Sequence, residues 1–91
     1  EMGRTPRINK NGGRDHWAKL APLLLYGAGF EQGRAIGSSD KMGGEPADNP
    51  LDPSHLISTI MNTMFNIGEL RLVSGIPSQV LDLGQKPQIE G

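Results

Sequence analysis

Cysteine is absent from the 91 residues, so the chain has no disulfide, no thiol nucleophile and no thiolate metal ligand. That is compatible with either side of a membrane. Aromatic residues are almost absent too: one Trp, one Tyr and two Phe. Trp17 stands alone among its basic neighbours, which excludes the interleaved stacking platform of a single-stranded nucleic-acid binder. No apolar run approaches the ~20 residues of a membrane helix. The longest, Leu20 to Tyr26, is interrupted by Pro22. Large core-filling side chains are scarce, and 13 glycines and seven prolines point to a chain rich in turns. Single domains usually run to about 100–150 residues, and one smaller than this buries only about 60–70% of its unfolded surface. The expectation is a portion of one larger domain, spanning 1–91, with the N-terminal portion elsewhere.

Charge is present and unevenly placed. Net charge is −1, but in residues 1–19 five basic groups face only Glu1 and Asp15, leaving +3 there and −4 in the remainder. A local positive surface suits small anions, nucleic acid or an acidic partner, although a solvated basic loop is the simpler reading of any one charge.

Along the chain, residues 3–14 read as a loop, with Pro6, Asn9, Asn11, Gly12 and Gly13 supplying turn residues. Ala21 to Phe30 is an apolar run of strand length closed by Gly27 and Gly29, and predicts a strand buried on both faces. Arg34 to Ile36 suits a short strand, and Ser39 to Pro53 a polar surface loop. One helix is well signalled: Asp52 as N-cap, Pro53 at the first position, Gly68 just past the end. Leu56, Ile57, Ile60, Met61, Met64 and Phe65 recur at spacings of three and four and form an apolar stripe that needs covering. Leu70 to Val73 suits a short strand, and residues 77–91 read as extended and turn-rich. The pattern of strand, loop, helix and strand is that of an α/β architecture.

The residues able to do chemistry cluster at Arg14-Asp15-His16-Trp17. His16 is a candidate metal ligand, and Asp15 is a second ligand or the carboxylate that fixes its tautomer. A lone histidine is more often structural, and no closed zinc motif is present. Arg4 and Arg14 flank the loop and can grip sulfate or phosphate oxygens, or form surface ion pairs. His55, in the first helical turn, reads as solvated. Ser38 and Ser39 precede Asp40 without a histidine placed for a triad, and neither a Walker loop nor a Rossmann fingerprint is present.

The stretches EMGRTPRINKNGGRDHW and APLLLYGAGFEQGRAIGSSDKMGGEP, the Pro-Ser-His-Leu helix and the closing LDLGQKPQI resemble the C-terminal part of a bacterial family. It is domain-of-unknown-function family fifteen-oh-one, called sulfatase-like and related to the alkaline phosphatase superfamily. There the segment typically reads Glu-Phe-Gly-Arg-Thr-Pro, a short loop, Gly-Arg-Asp-His-Trp, then a strand ending in glycines. The resemblance implies a fragment of an alkaline-phosphatase-like domain, with a mainly parallel sheet and flanking helices. It implies a metal-dependent hydrolase of sulfate or phosphate esters, using zinc or calcium and inactive as this fragment, whose nucleophile lies upstream. Its substrate would be a small anionic ester or a sulfated glycan, and its location exported, in the periplasm or cell envelope. Glu1, Asp15 and His16 would then be metal ligands, with Arg4 and Arg14 holding the anion. Met2 stands at a ligand-equivalent position, where neither it nor the family's phenylalanine supplies a hard or nitrogen donor. The competing expectation is a non-catalytic scaffold of the cell envelope that binds a glycan, an anion or a partner.

Overall fold

Nine of the 13 glycines fall before Pro50, and the backbone divides accordingly. A computed structural model describes residues 1–90, which form two units, Glu1–Pro50 and the residues from Leu51 onward. Among the described residues every helix lies in the second.

The first unit contains two hairpins. Strands β1 (Gly3–Arg4) and β2 (His16–Trp17) pair antiparallel, with Gly3 opposite Trp17 and Arg4 opposite His16. Strands β3 (Ser38–Ser39) and β4 (Pro46–Asp48) pair antiparallel with an irregularity between Ser38 and Ser39. The segment read as a polar loop thus folds back on itself. Asp40 organises the turn: one carboxylate oxygen accepts from the amides of Met42 at 3.1 Å and Gly44 at 2.8 Å. The Trp17 indole N–H donates to the Gly44 carbonyl at 2.7 Å and ties one hairpin to the other. Lys19 lies 5.5 Å from the centre of the Trp17 ring and pairs with Glu45.

Both sheets are antiparallel and two-stranded, so the expected mainly parallel sheet is not found among the described residues. The expected buried strand, Ala21 to Phe30, lacks a ladder partner. It has no regular structure up to a turn at Ala28–Gly29, with Leu24 90% and Tyr26 86% exposed. Nor do Arg34 to Ile36 form a strand; pairing begins at Ser38. Gly37, at φ +76°, passes beneath the Asn49 carbonyl, and a Cβ there would sit 3.1 Å from its oxygen.

In the second unit, α1 (Pro53–Met64) begins where the capping signals put it. Asp52 accepts from the Ser54 amide at 2.7 Å, and His55 Nδ1 accepts from the Asp52 amide at 3.2 Å, completing a reciprocal capping box. His55 is therefore a half-buried cap rather than a solvated side chain. The helix stops earlier than Gly68 suggested. Phe65 turns into the extended region, and Asn66 caps a second helix, α2 (Ile67–Leu70), which contains Gly68. Leu70 to Val73 is consequently the end of α2 and a turn, not a strand. Residues 78–85, read as extended, form α3 (Ser78–Gln85). No helix among the described residues is long and apolar enough to cross a membrane.

The larger departure is the face that α1 buries. Ser58 and Thr59 are its buried residues, while Ile57, Ile60, Met64 and Phe65 are exposed. The polar face packs because α3 and the following tail present unpaired backbone groups. Ser58 Oγ donates to the Lys86 carbonyl at 2.6 Å, and Asn62 Nδ2 donates to the Gly84 carbonyl at 2.8 Å. Thr59 Oγ1 accepts from the Ile89 amide at 2.8 Å while donating to the His55 carbonyl at 2.7 Å. Gly84 is buried against Ile67, where a Cβ would lie 2.7 Å from Ile67 Cδ1.

Two outcomes are expected. Thr59→Val orphans the buried Ile89 amide and Ser58→Ala the Lys86 carbonyl, each lowering stability by about 1–3 kcal/mol, read from the denaturant midpoint. Ile60→Ser lowers it less than either. The second concerns acid. The Asp52 carboxyl is held down to about 2 from 3.8, chiefly by the Ser54 hydroxyl, then by the Ser54 amide and by His55. Its folded-state pKa lies below the unfolded one, so the cap contributes above 3.8 and is lost as pH falls through about 2. Hydrogen exchange at the Ser54 amide, corrected for intrinsic rate, should rise across that window in the wild type and stay flatter in Asp52→Asn.

Candidate functional site

The exposed face of the β1–β2 hairpin carries the candidate site, and its connection is built by side chains. Asn9 is the organiser. Its amide donates to the Gly13 carbonyl at 2.7 Å, and its own carbonyl accepts from Gly12 at 3.0 Å. Its Oδ1 accepts from the amides of Asn11 and Gly13, both at 3.0 Å, and its Nδ2 donates to Asp15 Oδ1 at 3.1 Å. One short polar residue thereby closes the turn, the role for which asparagine suits loops.

Side chains also replace part of the ladder beyond β1 and β2. The Thr5 amide donates to the Asp15 carbonyl at 3.0 Å, but the Asp15 amide donates to the Thr5 hydroxyl at 3.1 Å. The Thr5 carbonyl is left to Arg14, whose Nη1 donates to it at 2.8 Å and to the Pro6 carbonyl at 2.7 Å. Arg14, expected to hold an anion, is thus engaged with the backbone. Asp15, expected as a metal ligand, has one oxygen committed to Asn9. At the other end the Gly3 amide donates to the Leu20 carbonyl at 2.6 Å. A Cβ at Gly3 would collide with that same oxygen, which gives the glycine of Glu-Met-Gly-Arg a steric reason.

Arg4 and His16 are brought together. They face each other across the ladder, exposed, and cross-strand partners share one side of a ribbon. Arg4 makes one long contact, 3.4 Å from Nη1 to the Arg14 carbonyl, and His16 has no side-chain hydrogen bond among the described residues. Asp15 lies just ahead of β2, with one oxygen on Asn9, and shares no hydrogen bond with His16 among the described residues. Glu1 is exposed, ahead of β1. No three of the His, Asp and Glu side chains group as a metal site among the described residues. Among the described residues the arrangement offers an imidazole without a side-chain hydrogen bond and, across from it, a guanidinium with one long backbone contact, able to donate a nitrogen ligand and to hold an anionic oxygen. Sequence reasoning read Asn9 as one of several turn residues and missed Thr5 and Gly44. Only Asn9 had a signal, the Asn-x-x-Gly-Gly spacing of a turn that an asparagine carboxamide can close.

Arg14→Ala and Asn9→Ala should speed hydrogen exchange at the Thr5, Asn9 and Gly13 amides by loosening this connection. His16→Ala, which removes no bond in the hairpin, should leave those rates unchanged.

No curated protein and no solved structure matches the chain. One family, described as Protein of unknown function (DUF1501), matches residues 1–73. That range holds both hairpins, α1 and α2, while α3 and the closing LDLGQKPQI stretch lie outside it. With both of its motifs and four-fifths of its length inside the match, the chain belongs to the family of proteins of unknown function DUF1501.

Proposed function

We propose that this chain is part of a metal-dependent hydrolase of sulfate or phosphate esters, built on an alkaline-phosphatase-like α/β domain and inactive by itself. The observation that carries the reading is the pairing of exposed Arg4 and His16 on one face of the β1–β2 ribbon. An imidazole free to ligate beside a guanidinium free to hold oxygen is the donor set such chemistry uses. The sulfatase-like resemblance of the two motif stretches supports it further. The mainly parallel sheet of this reading would include Ala21 to Tyr26, whose leucines on both faces and unpaired backbone suit a central strand.

The fit to a divalent metal, zinc or calcium, is partial. His16 is available; Asp15 keeps only the oxygen not held by Asn9, and Glu1 is not grouped with either. The remaining ligands would come from outside this chain. A metal when bound supplies Lewis-acid activation of the ester. This chain's own work is narrower: Arg4 binds and orients the anionic oxygens, while Arg14 and Asn9 hold the hairpin that places Arg4 opposite His16. The substrate class is a small anionic ester or a sulfated glycan, in the periplasm or cell envelope.

A second reading, a non-catalytic anion- or glycan-binding scaffold, is favoured by Met2, whose thioether is a poor donor to a hard cation. Commitment of Arg14 and Asp15 to the hairpin favours it as well. In the intact protein, His16→Ala should lower bound metal, and Arg4→Ala should weaken aryl sulfate or aryl phosphate binding about tenfold or more. Unchanged metal stoichiometry removes His16 from the centre. Ester binding without turnover in the metal-loaded protein selects the scaffold.

A further inference from the structure

We propose that Asn11 is a site of spontaneous backbone-assisted deamidation, and that the Asn9 turn sets its rate. The chain has five asparagines, and four are restrained. Asn9 Oδ1 and Nδ2 close the turn, Asn62 Nδ2 donates to the Ser58 and Gly84 carbonyls, and Asn66 Oδ1 caps α2. Asn49 precedes Pro50, whose nitrogen carries no proton and cannot act as nucleophile. Asn11 alone is followed by glycine; it is exposed, and its carboxamide has no hydrogen bond among the described residues. Gly12 is exposed at φ +78°, with open space where a Cβ would stand.

The chemistry needs only water and mild base. The deprotonated Gly12 backbone nitrogen attacks Asn11 Cγ. A new C–N bond closes a five-membered succinimide, and the bond from Cγ to Nδ2 breaks, with Nδ2 leaving as ammonia. Water then opens the ring at Cγ to give aspartate, or at the main-chain carbonyl to give isoaspartate. Either product adds a negative charge to a segment that carries +3. The isoaspartyl form also lengthens the backbone inside the turn.

Restraint comes from the bond between the Gly12 amide and the Asn9 carbonyl, 3.0 Å, which occupies the nucleophile. The reaction therefore proceeds from the opened turn, and Asp15 and Arg14, which sit on the same connection, are loosened by its product.

The test is peptide mass mapping with isoaspartyl-methyltransferase labelling after incubation in mildly alkaline buffer, native and in urea. In the native protein Asn11 should convert faster than Asn9, Asn49, Asn62 or Asn66, and faster again in urea or in Asn9→Ala. In urea, where folding is irrelevant, Gly12→Ala should slow conversion about tenfold by adding a Cβ beside the nucleophile. Conversion at Asn11 no faster than at Asn62 or Asn66 overturns the site. Equal rates in native protein, urea and Asn9→Ala overturn control by the turn.

Discussion

Every peptide unit brings a donor and an acceptor that must be paired or left in water, and this chain puts few of them into ladders. The four strands among the described residues are two or three residues long. Polar side chains take over the pairing. Asn9, Thr5, Arg14 and Asp40 hold the hairpins of the first unit, and Ser58, Thr59 and Asn62 hold α3 and the tail of the second. Each such bond contributes about 0.5–1.5 kcal/mol net but costs more if one partner is lost, so both units are sensitive to single polar substitutions.

The apolar side chains are arranged the other way round. Ile89 is the one large hydrophobic residue buried among the described residues, while Ile57, Ile60, Met64 and Phe65 line the open side of α1. Fully burying such a side chain is worth about 1.5–3 kcal/mol. Covering that stripe would therefore outweigh any hydrogen bond now holding the unit. The stripe and the Leu23–Tyr26 segment both have the composition of surfaces meant to be covered.

These facts also explain what could be read in advance. The start of α1 was legible because capping is local: Asp52, Pro53 and Ser54 determine it within one turn. Its end was not, since Gly68 competes with Asn66, which caps α2 from a position that also suits a loop. Helix α3 was missed because its N-cap, Pro77, makes no side-chain bond, and its last carbonyls are satisfied by residues more than 20 positions away. The period of α1 correctly marked an apolar stripe, but period does not say which face packs first. At the site, residue types marked Glu1, Arg4, Arg14, Asp15 and His16 alike as candidate groups. They could not show that Arg14 and Asp15 are engaged elsewhere, because that depends on backbone atoms left free by the Thr5 hydroxyl.

Arg14-Asp15-His16-Trp17 therefore divides its four side chains among different tasks. Arg14 and Asp15 hold the connection, through the Thr5 and Pro6 carbonyls and Asn9. Trp17 ties the first hairpin to the second through the Gly44 carbonyl. Only His16 remains uncommitted, and the antiparallel register puts it opposite Arg4. The proximity that matters to a site is thus between residues twelve positions apart. The three neighbours of His16 act on it indirectly, by fixing the ribbon that holds the pair. Substituting Arg14 or Trp17 should disturb the ribbon without removing a candidate group, whereas substituting Arg4 or His16 removes the group and leaves the ladder in place.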